Sequence, residues 1–105
     1  MELTSKRCKP CEGGMQPMTP EESQKLLGQV EGWKLEENTI QKIFKFKDFA
    51  EAISFVNRVA RVAEEEGHHP DIQIFYSRVK LTLTTHAIGG LSENDFILAA
   101  KIDRL

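Results

Sequence analysis

The run DIQIFYSRVKLTLTTH, residues 71–86, can form little other than a β-hairpin. It is dense in β-branched and aromatic residues, and a turn around Tyr76-Ser77-Arg78 divides it. In its second half Val79, Leu81 and Leu83 point one way, while Lys80, Thr82, Thr84 and His86 point the other. A second run, WKLEENTIQKIFKF (33–46), alternates about a polar turn near Glu37-Asn38 and predicts another hairpin. Two hairpins with one apolar face each need something to cover that face.

Three helix starts, each written as a capping signal, supply the cover. TPEE places Thr19 as N-cap, Pro20 at the first helical position and Glu22 three residues after the cap. DFAE repeats the code with Asp48 and Glu51, and SEND repeats it with Ser92 and Asp95. The predicted helices run over about 20–31, 49–66 and 93–104. The middle one carries Phe49, Ala52, Ile53, Val56, Ala60 and Ala63 at a 3.6-residue period, with Phe55, Val59 and Val62 as a second stripe. That is more apolar surface than one small sheet covers, which predicts a homo-oligomer. The order α-β-β-α-β-β-α predicts an α+β domain: an antiparallel four-stranded sheet with helices packed on one face. Residues 19–105 form that domain, and the Gly/Pro-rich, aperiodic residues 1–18 read as an extended arm. The sequence has no internal repeat, linker or second domain.

Composition narrows the function classes. The chain has 105 residues, 40% hydrophobic and 29% charged, with a formal net charge of −2, as an ordinary globular protein does. No Lys/Arg cluster is dense enough for a nucleic-acid surface, and no apolar run is as long as a membrane span. MELTSKRCKP lacks the apolar core of a secretion signal, so the expected address is cytoplasmic. Cys8 and Cys11 form a C-x-x-C, but a redox motif of this kind opens a helix, and here EGGMQPMTP follows. A structural zinc would need a second ligand pair, which the chain does not have. The motif reads as part of an N-terminal strap.

The chemistry sits with the histidines, of which there are three. Gly67 is placed to end the long helix, and Pro70 forces His69 out of the helical region, so GHHP is a rigid corner presenting His68 and His69. A turn centred near Ser77 sets residue 68 beside residue 86 across the hairpin, give or take one residue. All three imidazoles therefore converge on one end of the sheet. Beyond His86, AIGGLSEND makes a Gly-Gly loop and a helix N-terminus whose amide N–H groups would accept a polar ligand edge. Glu64, one helical turn before His68, is placed to orient it. Three imidazoles can hold a metal, but adjacent residues such as His68 and His69 point apart and no further ligand clusters with them. Proton transfer suits them better, since an imidazole ordinarily titrates near pH ~6.5.

Taken together, EEEGHHPDIQIFY and TLTTHAIGGLSENDF resemble the pterin-4a-carbinolamine dehydratase family (4a-hydroxytetrahydrobiopterin dehydratases). The shared pattern is Glu64, His68-His69-Pro70, Tyr76, His86 and Asp95, with Gly32-Trp33 upstream, and the resemblance covers about residues 19–105. It implies a hydro-lyase that removes water from 4a-hydroxytetrahydropterin to give quinonoid dihydropterin, in tetrahydrobiopterin recycling. It implies no metal and no organic cofactor. His68 and His86 become the proton-transfer pair, and His69 a binding residue that shares the acid role. Gly67, Pro70, Thr84, Thr85 and Ala87 become substrate contacts, and Asp95 a support for His86 or the Gly-Gly loop. The implied partner is a small pterin, with neither nucleic acid nor membrane, and the implied assembly is a dimer or tetramer. Ile72 stands where animal members carry a tryptophan, which implies looser stacking on the substrate. Three rivals stand beside this reading: a non-catalytic dimerisation or protein-binding module, a His-ligated metal enzyme, and a role in molybdopterin-type cofactor metabolism.

Overall fold

A computed structural model of the chain describes residues 3–9 and 16–105. Helix α1 (Pro20–Leu27) leads into the hairpin β1 (Lys34–Glu36) and β2 (Thr39–Lys45). Helix α2 (Phe49–Glu66) leads into the hairpin β3 (Asp71–Phe75) and β4 (Arg78–Leu83), and α3 (Glu93–Ile102) closes the chain. The four strands form one antiparallel sheet in the order β1-β2-β4-β3, so the two hairpins meet along β2 and β4. The fold is the expected α+β arrangement. No helix among the described residues is long and apolar enough to cross a membrane.

Alternation sets which face is buried. Ile40, Val79, Leu81 and Leu83 are completely buried, and Leu35 and Ile72 lie on the same face as their cross-strand partners Ile40 and Leu81. The opposite face carries Lys34, Glu36, Gln41, Lys80 and Thr82. Both hairpin turns are two residues long, and the second falls on Tyr76-Ser77, half a residue earlier than a turn centred on Ser77. Its first residue, Tyr76, has φ +55°, as Glu37 has φ +52° in the other turn.

The helices begin where their caps are written. Thr19 and Glu22 exchange both capping bonds, and the Asp48 side chain accepts from Glu51 N–H at 2.9 Å. Helix α2 ends at Glu66 as expected, while α1 and α3 stop short of their expected ends. Helix α1 stops at Leu27, because the Gln29 and Val30 N–H groups turn back to the Leu26 and Leu27 carbonyls. That tighter path carries Val30 and Trp33 into the core.

Two packing details correct the sequence reading. The buried stripe of α2 is Ala52, Phe55, Val59 and Ala63, while Phe49 and Ala60 are exposed. Phe55 decides this, since its ring lies 4.7 Å from Phe44 and 4.9 Å from Phe46 on the sheet. The arm is also more than an extended tail. Leu3 is 4% exposed within the core, on a short 3-10 turn that packs against α3. Helix α3 is apolar nearly all round its circumference and needs this outer cover.

Candidate active site

Gly67 fixes where α2 stops. Its φ of +67° lies in the left-handed region that glycine enters without penalty, and its N–H returns to the Ala63 carbonyl. From this corner the two neighbouring rings part. His68 turns inward to α3, its Nε2 2.6 Å from Asp95 Oδ1, with 12% of its side chain exposed. His69 folds back over α2 onto Glu64, 2.5 Å from Nε2 to Oε2, with 57% exposed. Asp95 thus holds His68, where the expected partner was His86 or the Gly-Gly loop, and Glu64 holds His69 rather than His68.

Asp95 is fully buried, and a buried carboxylate is tolerable only when donors surround it. It has three. Besides His68, the Thr85 hydroxyl donates to Oδ2 at 2.9 Å and the Ser92 N–H donates to the same oxygen at 2.9 Å. The Ser92 hydroxyl lies 2.8 Å from Thr85 Oγ1 and donates to it, since Thr85 has given its proton to Asp95. The residue that reads in sequence as half of a helix cap is also the anchor of an imidazole. The helix N-terminus, expected to offer free N–H groups to a ligand, has spent at least the Ser92 N–H on this anchor.

His86 opens a short 3-10 turn (His86–Ile88) at the end of β4. The Thr85–Gly90 bridge closes the loop behind it, with Thr85 N–H donating to the Gly90 carbonyl at 3.0 Å. Thr84 is tied to the first hairpin through its hydroxyl, 2.6 Å from the Asn38 carbonyl. His86 itself is exposed, and its ring makes no hydrogen bond among the described residues.

The three histidines line a single cavity of about 300 Å³, at the lower end of the range for small-molecule sites. Gly67, Thr84, Thr85 and Ala87, which the resemblance implies as substrate contacts, line it with them. Pro70 shapes the corner without lining the cavity, and Ile72 packs against the core instead. Glu64 and Asp95 stand behind His69 and His68. Two lining residues escaped the sequence reading: Asn94 and Lys9. Asn94 lies beside Asp95 in a segment read as a cap, and nothing local connects Lys9 to the histidines. Among the described residues, no three His, Cys, Asp or Glu side chains are arranged to hold a metal ion.

On the α2 side of the arm, the Glu66 carboxylate joins Lys101 Nζ at 2.7 Å to the Cys8 N–H at 2.8 Å. Burial pushes the Cys8 thiol up to about 12, and the Glu66 carboxylate adds to the effect. The thiol is kept protonated rather than activated. Cys11 lies outside the described residues.

Known proteins resemble this chain in sequence and in fold. A family model described as pterin 4 alpha carbinolamine dehydratase matches residues 16–105. A Nitrosomonas eutropha protein named "Putative pterin-4-alpha-carbinolamine dehydratase" is 51% identical, covering 99% of this chain and 93% of its own. A Rubrobacter xylanophilus protein of the same name is 48% identical, covering 99% and 98%. Among solved structures, a "transcriptional coactivator/pterin dehydratase" from Brucella melitensis superposes with a TM-score of 0.80 at 35% identity, over 85% of this chain and 97% of that one. A "pterin dehydratase-like protein" described as a RuBisCO assembly factor in the alpha-carboxysome gives a TM-score of 0.56 at 27% identity, over 69% and 83%.

Proposed function

This chain belongs to the pterin 4 alpha carbinolamine dehydratase family, and from that premise we propose that it dehydrates a 4a-hydroxytetrahydropterin. The observation that carries the reading is the meeting of all three histidines on one cavity, one of them anchored by a buried carboxylate. The reaction removes the proton on N5, breaks the bond between C4a and its hydroxyl, and forms a C4a–N5 double bond. Water and a quinonoid dihydropterin leave. It needs a base at N5 and an acid at the hydroxyl, on groups that exchange protons near neutrality.

His68 is the base in this reading. Asp95 accepts its Nε2–H, which fixes the tautomer and leaves Nδ1 to take the N5 proton. The imidazolium formed is then paired with a carboxylate already in place. His86, which has no such partner, delivers a proton to the departing hydroxyl. His69, braced by Glu64, orients the ring and shares the acid role. Thr84, Thr85, Ala87 and Gly67 supply contacts around the substrate. The physiological setting is cytoplasmic tetrahydrobiopterin recycling.

A homo-oligomer accompanies this reading. Phe49, Ile74, Phe75 and Tyr76 are exposed on and beside the edge strand β3, and the Phe49 and Tyr76 rings stack at 6.5 Å. Such an edge is one that a second copy can cover.

Ultraviolet stopped-flow on 4a-hydroxytetrahydropterin generated in situ tests the function. Wild type is expected to accelerate formation of the quinonoid product. His68→Ala and His86→Ala each lose about 10²-fold, within the usual range for one acid–base group. The folded double variant falls to the uncatalysed rate. Wild type without effect on that rate would end the catalytic reading and leave a partner-binding module of the same fold.

A further inference from the structure

On the dehydratase reading above, we propose that Thr85 is a positioning residue: its hydroxyl holds the Asp95 carboxylate against His68 and offers the pterin no polar contact. Thr85 is 4% exposed, and each of its polar groups is engaged within the protein. Its N–H donates to the Gly90 carbonyl at 3.0 Å, and its own carbonyl accepts the Ile88 N–H at 3.2 Å and the Gly90 N–H at 3.4 Å. Its hydroxyl donates to Asp95 Oδ2 at 2.9 Å and accepts from the Ser92 hydroxyl at 2.8 Å. A hydroxyl has one proton to give, and this one goes to Asp95. Thr85 lines the cavity all the same, so its contact with the substrate is one of shape.

The carboxylate needs such a hold, because a carboxyl group turns about its last bond with little rotameric restraint. His68 Nε2 sits 2.6 Å from one Asp95 oxygen, and the bonds on the other oxygen decide how the first is aimed. Two donors reach that second oxygen. The Ser92 N–H belongs to the cap of α3 and travels with Asp95. The Thr85 hydroxyl comes from beyond the end of β4, and so ties the carboxylate to the sheet.

Thr85 also precedes His86 in the chain. It is thus joined covalently to one member of the proton-transfer pair and by a hydrogen bond to the carboxylate behind the other. The relative placement of base and acid passes through this one residue. The backbone at position 85 has its own support, since the Thr85–Gly90 bridge holds it without the side chain. Removing the hydroxyl alone therefore leaves the His86 loop in place and frees only the carboxylate.

The test is Thr85→Val, which keeps the shape of the side chain and deletes the hydroxyl, assayed on 4a-hydroxytetrahydropterin generated in situ. We expect kcat to fall about ten-fold, the effect of one lost hydrogen bond to a charged group when it is felt in the transition state. KM stays where it is, because no bond to the substrate has been removed. Thr85→Ser, which keeps the hydroxyl, retains kcat. Thr85→Val added to Asp95→Asn costs little beyond Asp95→Asn itself, since both act through one carboxylate. If the valine variant does not fold, Thr85→Ala against Thr85→Ser carries the same comparison, alanine losing kcat and serine keeping it. An active wild type whose Thr85→Val raises KM at unaltered kcat, or changes neither, overturns this inference and leaves the dehydratase reading standing. Full additivity with Asp95→Asn does the same. A wild type inactive on this substrate overturns both.

Discussion

Asp95 presents two oxygens to three donors, and no other single residue ties the site so closely to the fold. Asp95→Asn is the informative change because it keeps the shape. The amide oxygen still accepts from Ser92 and Thr85, while the amide nitrogen faces His68 and forces the opposite tautomer. We expect kcat to fall about 10²-fold with little change in KM or in folding, since the lost group acts on proton transfer. A variant with unaltered kcat would remove Asp95 from the mechanism. Cys8 makes a different kind of statement at the same scale. Its thiol is raised by burial first and then by the Glu66 carboxylate, so the folded protein holds a proton that the unfolded chain releases near pH 9. Stability from this group is present below pH 9 and is lost as pH climbs towards about 12. The urea midpoint of wild type should fall more steeply above pH 9 than that of Cys8→Ser; parallel curves would contradict it. Glu66 acts at the acid end. Burial pushes its carboxyl up, but the Lys101 hydrogen bond, the Cys8 N–H and nearby positive charge together hold it below the ordinary value. Its contribution is present above the ordinary carboxylate pKa and is lost as pH falls through the lower folded value.

At the scale of elements, the corner between α2 and β3 does the placing. A Cβ added at Gly67 meets nothing within 4 Å, so Gly67→Ala carries a purely conformational cost at φ +67°. That cost is about 1 kcal/mol, equivalent to a drop of about 4–8 °C in Tm for a domain of this size. Thermal unfolding followed by circular dichroism checks it, and an unchanged Tm would mean that the corner relaxes at no cost. The helix starts were legible because a cap is local: a side chain two or three residues away satisfies the first free N–H groups. The buried face of α2 was not. Both apolar stripes have helical spacing, and the buried face draws Ala52 and Ala63 from one and Phe55 and Val59 from the other, oriented by the Phe44 and Phe46 rings that meet Phe55.

For the whole molecule, the unburied remainder matters most. Phe49 and Phe75 are each 50% exposed and Tyr76 is 69% exposed, beside a strand edge that no other strand among the described residues covers. Light scattering should return a multiple of 11.9 kDa, and Phe75→Glu should shift it towards the monomer. A wild-type monomer at every concentration would mean that this edge stays open.

The element order, the alternation that selects the buried sheet face, and the convergence of His68, His69 and His86 were all readable from residue order. These follow from short-range rules: strand period, capping and hairpin register. Tertiary packing was needed to assign each carboxylate to its imidazole, because neighbouring side chains leave one corner in opposite directions and their partners depend on what packs there. It alone brought Lys9 to the site, through a hydrogen bond to a residue 85 positions away that no local pattern encodes. It also turned the arm from a tail into cover for α3, since a helix apolar nearly all round needs cover on its outer side as well.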